Sequence, residues 1–388
     1  MFKSCSQYLI DRDILHMWFV SSLCGVWSLQ LQDMDHHFIS KTRFHIKCIF
    51  HHWFVQPMVR LKGIVDLCYN ELTLIWRFFM NIESYHVSTP DRNRIAVDWY
   101  HVKKPKGVIH ILHGMGEHSK RYEPFAKHLV EHGFSVVTHD HRNHGRSVEN
   151  TKKIGIFNKT ETFDTMVNDV MTIESHIRSK ASSPIIMLGH SMGSIILRRY
   201  LQRTSQIPSA AILMGTLQRF TKLKGTGAYA ASRLSGFFKK NDARNRFVYN
   251  MLNKSMKKSL KKNEPSTAWI AHDTTVVDNY TKDPKSGFVY NKQFYNTFFK
   301  ALIEVNKVEN IKKTPMIPTL FISGEDDPLS NNMKAIKELK ELHETLIEGF
   351  DASMIGIPNA RHEVLNEGNK QETFDKILNW LNATLNID

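Results

Sequence analysis

The chain predicts an α/β fold, a mostly parallel central sheet with helices on both faces. Three observations carry this. Short apolar runs recur from residue 81 onward, helical stretches lie between most of them, and several runs are apolar along their whole length. A strand that is apolar throughout is buried on both sides, as happens when crossover helices cover a parallel sheet. With 388 residues, 41% hydrophobic and 23% charged, the chain has an ordinary globular composition and room for one large domain plus an insertion or appendage.

Residues 1–79 stand apart. They contain all four cysteines and four of the seven tryptophans, and show no clean strand or helix period. The uncharged run 14–32 is long enough to raise a membrane-spanning reading, but Ser21, Ser22, Ser28, Gln30 and Gln32 dilute it. The acidic Asp11 and Asp13 before it do not make the basic start of a signal peptide. The segment is expected to be a poorly ordered extension or a membrane-associated segment. A start at Met80, just before the first patterned strand, is the other reading. Cys5, Cys24, Cys48 and Cys68 include no C-x-x-C pair, so neither a zinc site nor a thioredoxin-like motif is indicated.

The domain proper is expected over 80–388. Strands are predicted at 82–87 and 95–100, joined by the turn Thr89-Pro90-Asp91-Arg92 and forming an antiparallel edge. Further strands follow at 108–112, 134–138, 185–188, 211–214, 319–322 and 354–357. Near the C-terminus Phe374, Ile377, Leu378 and Leu381 keep the i, i+3, i+4, i+7 stripe of a helix packed on the sheet. Between about 217 and 290 the alternation breaks. This stretch is helix-like and sits where a cap inserted between two strands would sit. It also holds most of the charge excess: from Arg219 to Lys262 thirteen basic residues face one acid, Asp242, in a chain whose net charge is +14. Charge concentrated in one segment is a local surface property. No nucleic-acid-binding motif accompanies it, so nucleic acid is not an expected partner.

Gly189-His190-Ser191-Met192-Gly193 is a G-x-S-x-G motif directly after an apolar strand and directly before a helical stretch. A sharp strand-to-helix turn of this kind presents a serine hydroxyl, with glycines where side chains would clash. The same five residues would also make an ordinary glycine turn. A serine nucleophile needs a base, and the base needs a carboxylate to orient it. Asp327, in Gly324-Glu325-Asp326-Asp327-Pro328 after the strand at 319–322, is the candidate acid, with Asp326 and Glu325 as rivals in the same loop. His362, in Ala360-Arg361-His362-Glu363 after the strand at 354–357, is the candidate base, singled out among 21 histidines by position and order. An oxyanion would be met by two backbone N–H groups: that of Met192 after the nucleophile, and that of Met115 in His113-Gly114-Met115-Gly116. Glu117 and Arg121 stand four apart at a helix start, as an i, i+4 pair or a support for the site. The histidine-rich stretch 138–147 lacks a second ligand cluster, so it is expected to pack beside the site rather than hold a metal.

Together these motifs resemble the monoacylglycerol lipase and lysophospholipase group of the α/β-hydrolase family, often filed with serine aminopeptidase S33-type hydrolases. The matching pieces run from His113 to Tyr122, from His139 and Asp140 to Ser147, over Gly189 to Gly193, around Asp327, and from Arg361 to Glu367; Trp269 to Asp273, with Asp283-Pro284, resembles the bacterial branch. The resemblance covers about 81–386 and leaves 1–79 untouched. It implies the α/β-hydrolase fold and a Ser191–His362–Asp327 triad working through an acyl-enzyme, with no cofactor and no metal. The implied substrates are monoacylglycerols, lysophospholipids or small esters. An aminopeptidase-like hydrolase and a non-catalytic binding protein on the same fold are the competing readings. The enzyme is expected in the cytoplasm, with the basic cap meeting an anionic membrane surface where apolar residues interleave with its lysines and arginines.

Overall fold

The fold is described from a computed structural model, which describes residues 18–21, 27–30, 81–217, 227, 230, 232, 242–257 and 260–386. The chain divides into two units, Met1–Ile75 and Trp76–Asp388. In the first, Trp18–Ser21 pairs antiparallel with Trp27–Gln30, a pairing that no clean period in the sequence announces. The expectations of a poorly ordered or membrane-associated extension, and of a start at Met80, otherwise concern residues outside those described.

The second unit is built on eight strands: β1 (Ile82–Ser88), β2 (Arg94–Tyr100), β3 (Val108–Leu112), β4 (Ser135–His139), β5 (Ile185–His190), β6 (Ala210–Met214), β7 (Thr319–Gly324) and β8 (Ala352–Ile357). Their order across the sheet is β8-β7-β6-β5-β3-β4-β2-β1. From β4 to β8 neighbours run parallel, while β2 pairs antiparallel with both β1 and β4. The antiparallel edge and all eight strands therefore stand where the apolar runs place them, within a residue or two at each end. The β1–β2 turn closes through Arg92 N–H donating to the Thr89 carbonyl, with Arg92 at a φ of 64°.

Strand pleating divides the sheet between two cores. Val108, Val137, Met187, Leu213 and Phe321 face one side, which is covered by α2 (Phe163–Lys180), α3 (Met192–Leu201), α6 (Lys292–Val305) and α8 (Lys334–Leu346). Ile109, Val136, Ile186, Ile212 and Leu320 face the other, under α1 (Glu123–Glu131) and α9 (Lys370–Thr384). Alternate residues of one strand thus feed two cores, so the strands read as unbroken apolar runs. In α9, Phe374, Ile377, Leu378 and Leu381 are the buried stripe. The helix α2 starts on a capping box in which Thr162 and Thr165 exchange side-chain and backbone hydrogen bonds.

Between β6 and β7 the described residues add no strand to this sheet. They form α4 (Arg246–Lys257), α5 (Thr274–Lys282), α6 and the short α7 (Val308–Ile311). About half of the basic run 219–262 lies outside the described residues. Among those described, no helix is long and apolar enough to cross a membrane.

Candidate active site

Ser191 stands in the turn between β5 and α3 with φ 52° and ψ −116°, a conformation an L-residue adopts only under constraint. Its N–H donates to the Met214 carbonyl of β6 at 2.9 Å, and its carbonyl accepts from Ser194 Oγ at 2.6 Å. The flanking glycines let the turn close. A Cβ on Gly193 would stand 2.1 Å from the Leu112 carbonyl oxygen, and one on Gly189 would stand 2.5 Å from the carbonyl oxygen of Gly193. Both obstacles are backbone, which cannot swing aside. Gly193→Ala is therefore expected to cost about 1–3 kcal/mol or more, read as a lowered melting temperature. An unchanged melting temperature would contradict this close packing.

The loops after β7 and β8 carry the other two residues. His362 Nδ1 lies 3.0 Å from Asp327 Oδ2, with the histidine 2% and the aspartate 0% exposed. Asp327 also accepts from the Leu329 N–H at 2.8 Å through Oδ1 and from Ser323 Oγ at 3.0 Å through Oδ2. Burial pushes its carboxyl up, but the His362 ring and these donors outweigh that and hold it below its ordinary value of 3.8. The rivals part company here: Asp326 turns outward to His272 Nε2 at 2.9 Å, and Glu325 is exposed. His362 Nε2 is buried with no hydrogen-bond partner among the described residues, and His362 and Ser191 line the same pocket.

The loop after β3 has its N–H groups divided. That of Gly114 donates to Glu117 Oε1 at 2.5 Å and that of Gly116 to Tyr290 OH at 2.7 Å. Met115 lies between them, and both Met115 and Met192 line the pocket with Ser191. Glu117 is more than an i, i+4 partner. Arg121 donates to it from Nη1 at 2.9 Å and also holds Glu363 through two 2.5 Å bonds, one from Nη1 and one from Nη2, while Tyr122 OH donates to Glu117 Oε1 at 2.8 Å. His190 completes the group, with Nδ1 3.1 Å from Glu117 Oε1 and Nε2 3.2 Å from the His362 carbonyl. The Tyr122 hydroxyl also stands 2.8 Å from Nδ1, so the ring sits among two acceptors and one group that can donate or accept. In the sequence, His190 and Glu363 carry no signal beyond their adjacency to Ser191 and His362.

Burial alone would lower the His190 pKa. The hydrogen bond and charge of Glu117, then Glu363 and the His362 carbonyl, reverse this and raise it above 6.5. Glu117 is held well below its ordinary value: burial opposes this, and His190 and Arg121 outweigh it. A raised histidine contributes stability that is complete below its unfolded value of about 6.5 and is lost as pH rises through the folded value. An NMR titration should find His190 titrating above 6.5 in the native chain and lower in Glu117→Gln. Equal values in both would refute the pairing.

The histidine-rich stretch packs beside the site. Asp140 accepts from the N–H groups of Ser119 and Arg146, each at 2.8 Å, and Arg146 bridges to Asp98. His144 reaches Tyr290 OH at 2.6 Å. Among the described residues no group of three or more histidines, cysteines or carboxylates is arranged to hold a metal ion.

The pocket over Ser191 has a volume of about 120 Å³. Its wall is largely apolar, with Leu217, Leu252, Met256, Trp269, Phe288 and Phe298 among the lining residues. The inner side of α4 supplies part of that wall. Its outer side presents Arg246, Lys254, Lys257 and Phe247, the last 57% exposed.

The chain is similar to several known proteins. Residues 103–369 match the family model described as serine aminopeptidase, S33. A monoglyceride lipase homolog of Monkeypox virus is 29% identical over 234 residues, 60% of this chain and 75% of that protein. A monoacylglycerol lipase of Mycolicibacterium smegmatis is 26% identical over 294 residues, 74% of this chain and 92% of that protein. Two further relatives are spanned over only 28% and 31% of their own length. A thermostable carboxyl esterase from Bacillus coagulans, solved with glycerol, superposes with a TM-score of 0.72 at 23% identity, covering 78% of this chain and 99% of that one. That last likeness is one of fold, the α/β-hydrolase fold.

Proposed function

Since the chain belongs to the serine aminopeptidase S33 family of α/β hydrolases, we propose that it is a serine hydrolase of single-chain lipid esters, such as monoacylglycerols or lysophospholipids. The observation that carries this reading is the strained Ser191 at an apolar pocket, which it lines together with a histidine whose Nδ1 is held by Asp327 and whose Nε2 has no partner among the described residues. The relatives named as monoacylglycerol lipases support the substrate class.

The reaction runs in two halves. His362 Nε2 takes the Ser191 proton as Oγ attacks the ester carbonyl carbon, and Asp327 holds the Nδ1–H tautomer this requires. The N–H groups of Met115 and Met192 receive the negative charge that develops on the carbonyl oxygen. His362 returns the proton to the leaving alcohol, and the acyl group stays on Ser191. Water, deprotonated by His362, then attacks the acyl-enzyme and releases the acid. The residues named carry every proton and charge, so no cofactor enters. Segment 217–290 acts as a cap, and α4 forms one wall of the acyl pocket. A peptidase would need a free carboxylate for its substrate's amino terminus, whereas Glu117 and Glu363 on the pocket wall are both held by Arg121.

The test is hydrolysis of p-nitrophenyl esters and monoacylglycerols of graded chain length, set against aminoacyl arylamides. Turnover of esters that rises with chain length supports the reading; turnover confined to arylamides overturns it. The cap's outer side also fits an anionic lipid surface, with basic residues around the exposed Phe247. The full chain should sediment with anionic vesicles and less with neutral ones, and the difference should shrink as salt is raised. Equal sedimentation with both would remove the electrostatic contribution.

A further inference from the structure

Four hydrogen bonds run in series beneath loop 113–116 through side chains that the proposed chemistry does not use. Glu174 Oε1 of α2 and His110 Nδ1 of β3 meet at 2.6 Å. His110 Nε2 then meets His139 Nδ1 at 2.9 Å, and His139 Nε2 meets His141 Nδ1 at 2.9 Å. His141 Nε2 lies 3.1 Å from the carbonyl oxygen of His113. All four side chains are buried, none more than 1% exposed.

Counting hydrogens decides the state of this chain. Four bonds need four hydrogens, and three neutral imidazoles carry three. An ionised Glu174 can only accept, so His110 must keep its hydrogen on Nδ1. Its Nε2 then accepts, which places the His139 hydrogen on Nδ1, and by the same step that of His141. His141 Nε2 would then point a lone pair at the His113 carbonyl, two acceptors face to face in a buried site. Such a contact costs as much as an unpaired buried polar group.

We propose that the cluster holds a fourth proton, shared between Glu174 and His110. His110, His139 and His141 then all donate through Nε2, and the last bond fixes the His113 carbonyl and, two residues on, Met115. Glu174, His110, His139 and His141 are thereby positioning residues for the loop. The groups around the chain agree with this placement. His139 and His141 are held well below 6.5 by burial first and by neighbouring histidines second, which keeps both neutral and leaves the extra proton at the Glu174 end. Arg178 Nη2 stands 3.9 Å from Glu174 Oε2, and the Tyr200 hydroxyl, pushed up by burial and then by the Glu174 charge, stays neutral. His113 and His144 are each committed to one neutral tautomer, donating from Nδ1 to a backbone carbonyl and accepting at Nε2. Asp140, which faces His139, is taken up by Arg146 and the Ser119 N–H. The proton count stands on the hydrogen bonds alone; its consequence for turnover rests on the ester-hydrolase reading.

The test reads the imidazole tautomers of the full chain, 15N-labelled at histidine, by NMR at neutral pH. Nε2–H tautomers at His139 and His141 are expected; Nδ1–H at both overturns the proposal. Glu174→Gln supplies the fourth hydrogen from its amide, so it should keep the Nε2–H tautomers at His139 and His141. Nδ1–H at both in this variant would also overturn it. Glu174→Leu should lower kcat for esters roughly 10- to 100-fold through a displaced oxyanion donor, with KM little changed, and Glu174→Gln should restore it. Nε2–H tautomers in a protein without esterase activity would uphold the proton count and sink only the ester-hydrolase reading.

Discussion

Replacing Ser191 by alanine is expected to lower kcat for ester hydrolysis by roughly 10³- to 10⁶-fold, about 4–8 kcal/mol of transition-state stabilisation. The loss is large because the proposed acyl-enzyme route closes altogether. Water attacking an ester polarised by the proposed Met115 and Met192 donors would remain, so a residual rate above the uncatalysed one should persist. Folding should respond differently from catalysis. The backbone at this position has φ 52° and ψ −116°, and alanine meets the same Cβ strain as serine. Ser191→Ala should therefore melt close to the native temperature. Ser191→Gly should melt higher, because removing Cβ releases strain of about 1–3 kcal/mol. Ester turnover by Ser191→Ala within tenfold of the native rate would remove Ser191 from the chemistry.

That serine was legible because its signal is local. The G-x-S-x-G motif spans the end of β5 and the start of α3, and the two conditions that define the turn, a buried strand before and a helix after, lie within ten residues on either side. The strands were legible for the same reason, since pleating sends neighbouring residues into two different cores. Asp327 needed more. Glu325, Asp326 and Asp327 are three carboxylates in a row, and which one turns inward depends on the hydrogen bonds from Leu329 and Ser323. Position in the loop favoured Asp327, while its chemistry is decided by the fold.

The supporting contacts were out of reach of a linear reading. His110 and Glu174 are 64 residues apart, and Arg121 and Glu363 are 242 apart. His110 reads as a lone polar residue in an apolar strand. Nothing in its neighbourhood tells that α2 will lie across this part of the sheet with a carboxylate aimed at it. The same holds for Glu117, whose i, i+4 spacing to Arg121 is visible although its contacts with Gly114, Tyr122 and His190 are not.

Asp327→Asn is expected to cost about 10⁴-fold in kcat, nearly without change in shape, because it traps His362 in the wrong tautomer. The hydrogen bonds dictate which way the amide turns. The Leu329 N–H donates to Oδ1 at 2.8 Å and demands an acceptor there, so the amide oxygen takes that place. The NH2 group must then occupy the Oδ2 position, 3.0 Å from His362 Nδ1, and it donates. His362 answers by accepting at Nδ1 and carrying its proton on Nε2, the atom that should take the proton from Ser191. A base already protonated at the working nitrogen cannot act. The neighbouring substitution supplies the contrast: Asp326 is exposed and engaged with His272, so Asp326→Asn should leave kcat within about twofold of native, as surface changes do. NMR of the histidine nitrogens separates the explanations. Nε2–H at His362 in Asp327→Asn accounts for the loss by tautomer, whereas Nδ1–H with the same loss would mean that the carboxylate's charge, rather than its orientation of the ring, is what the reaction requires.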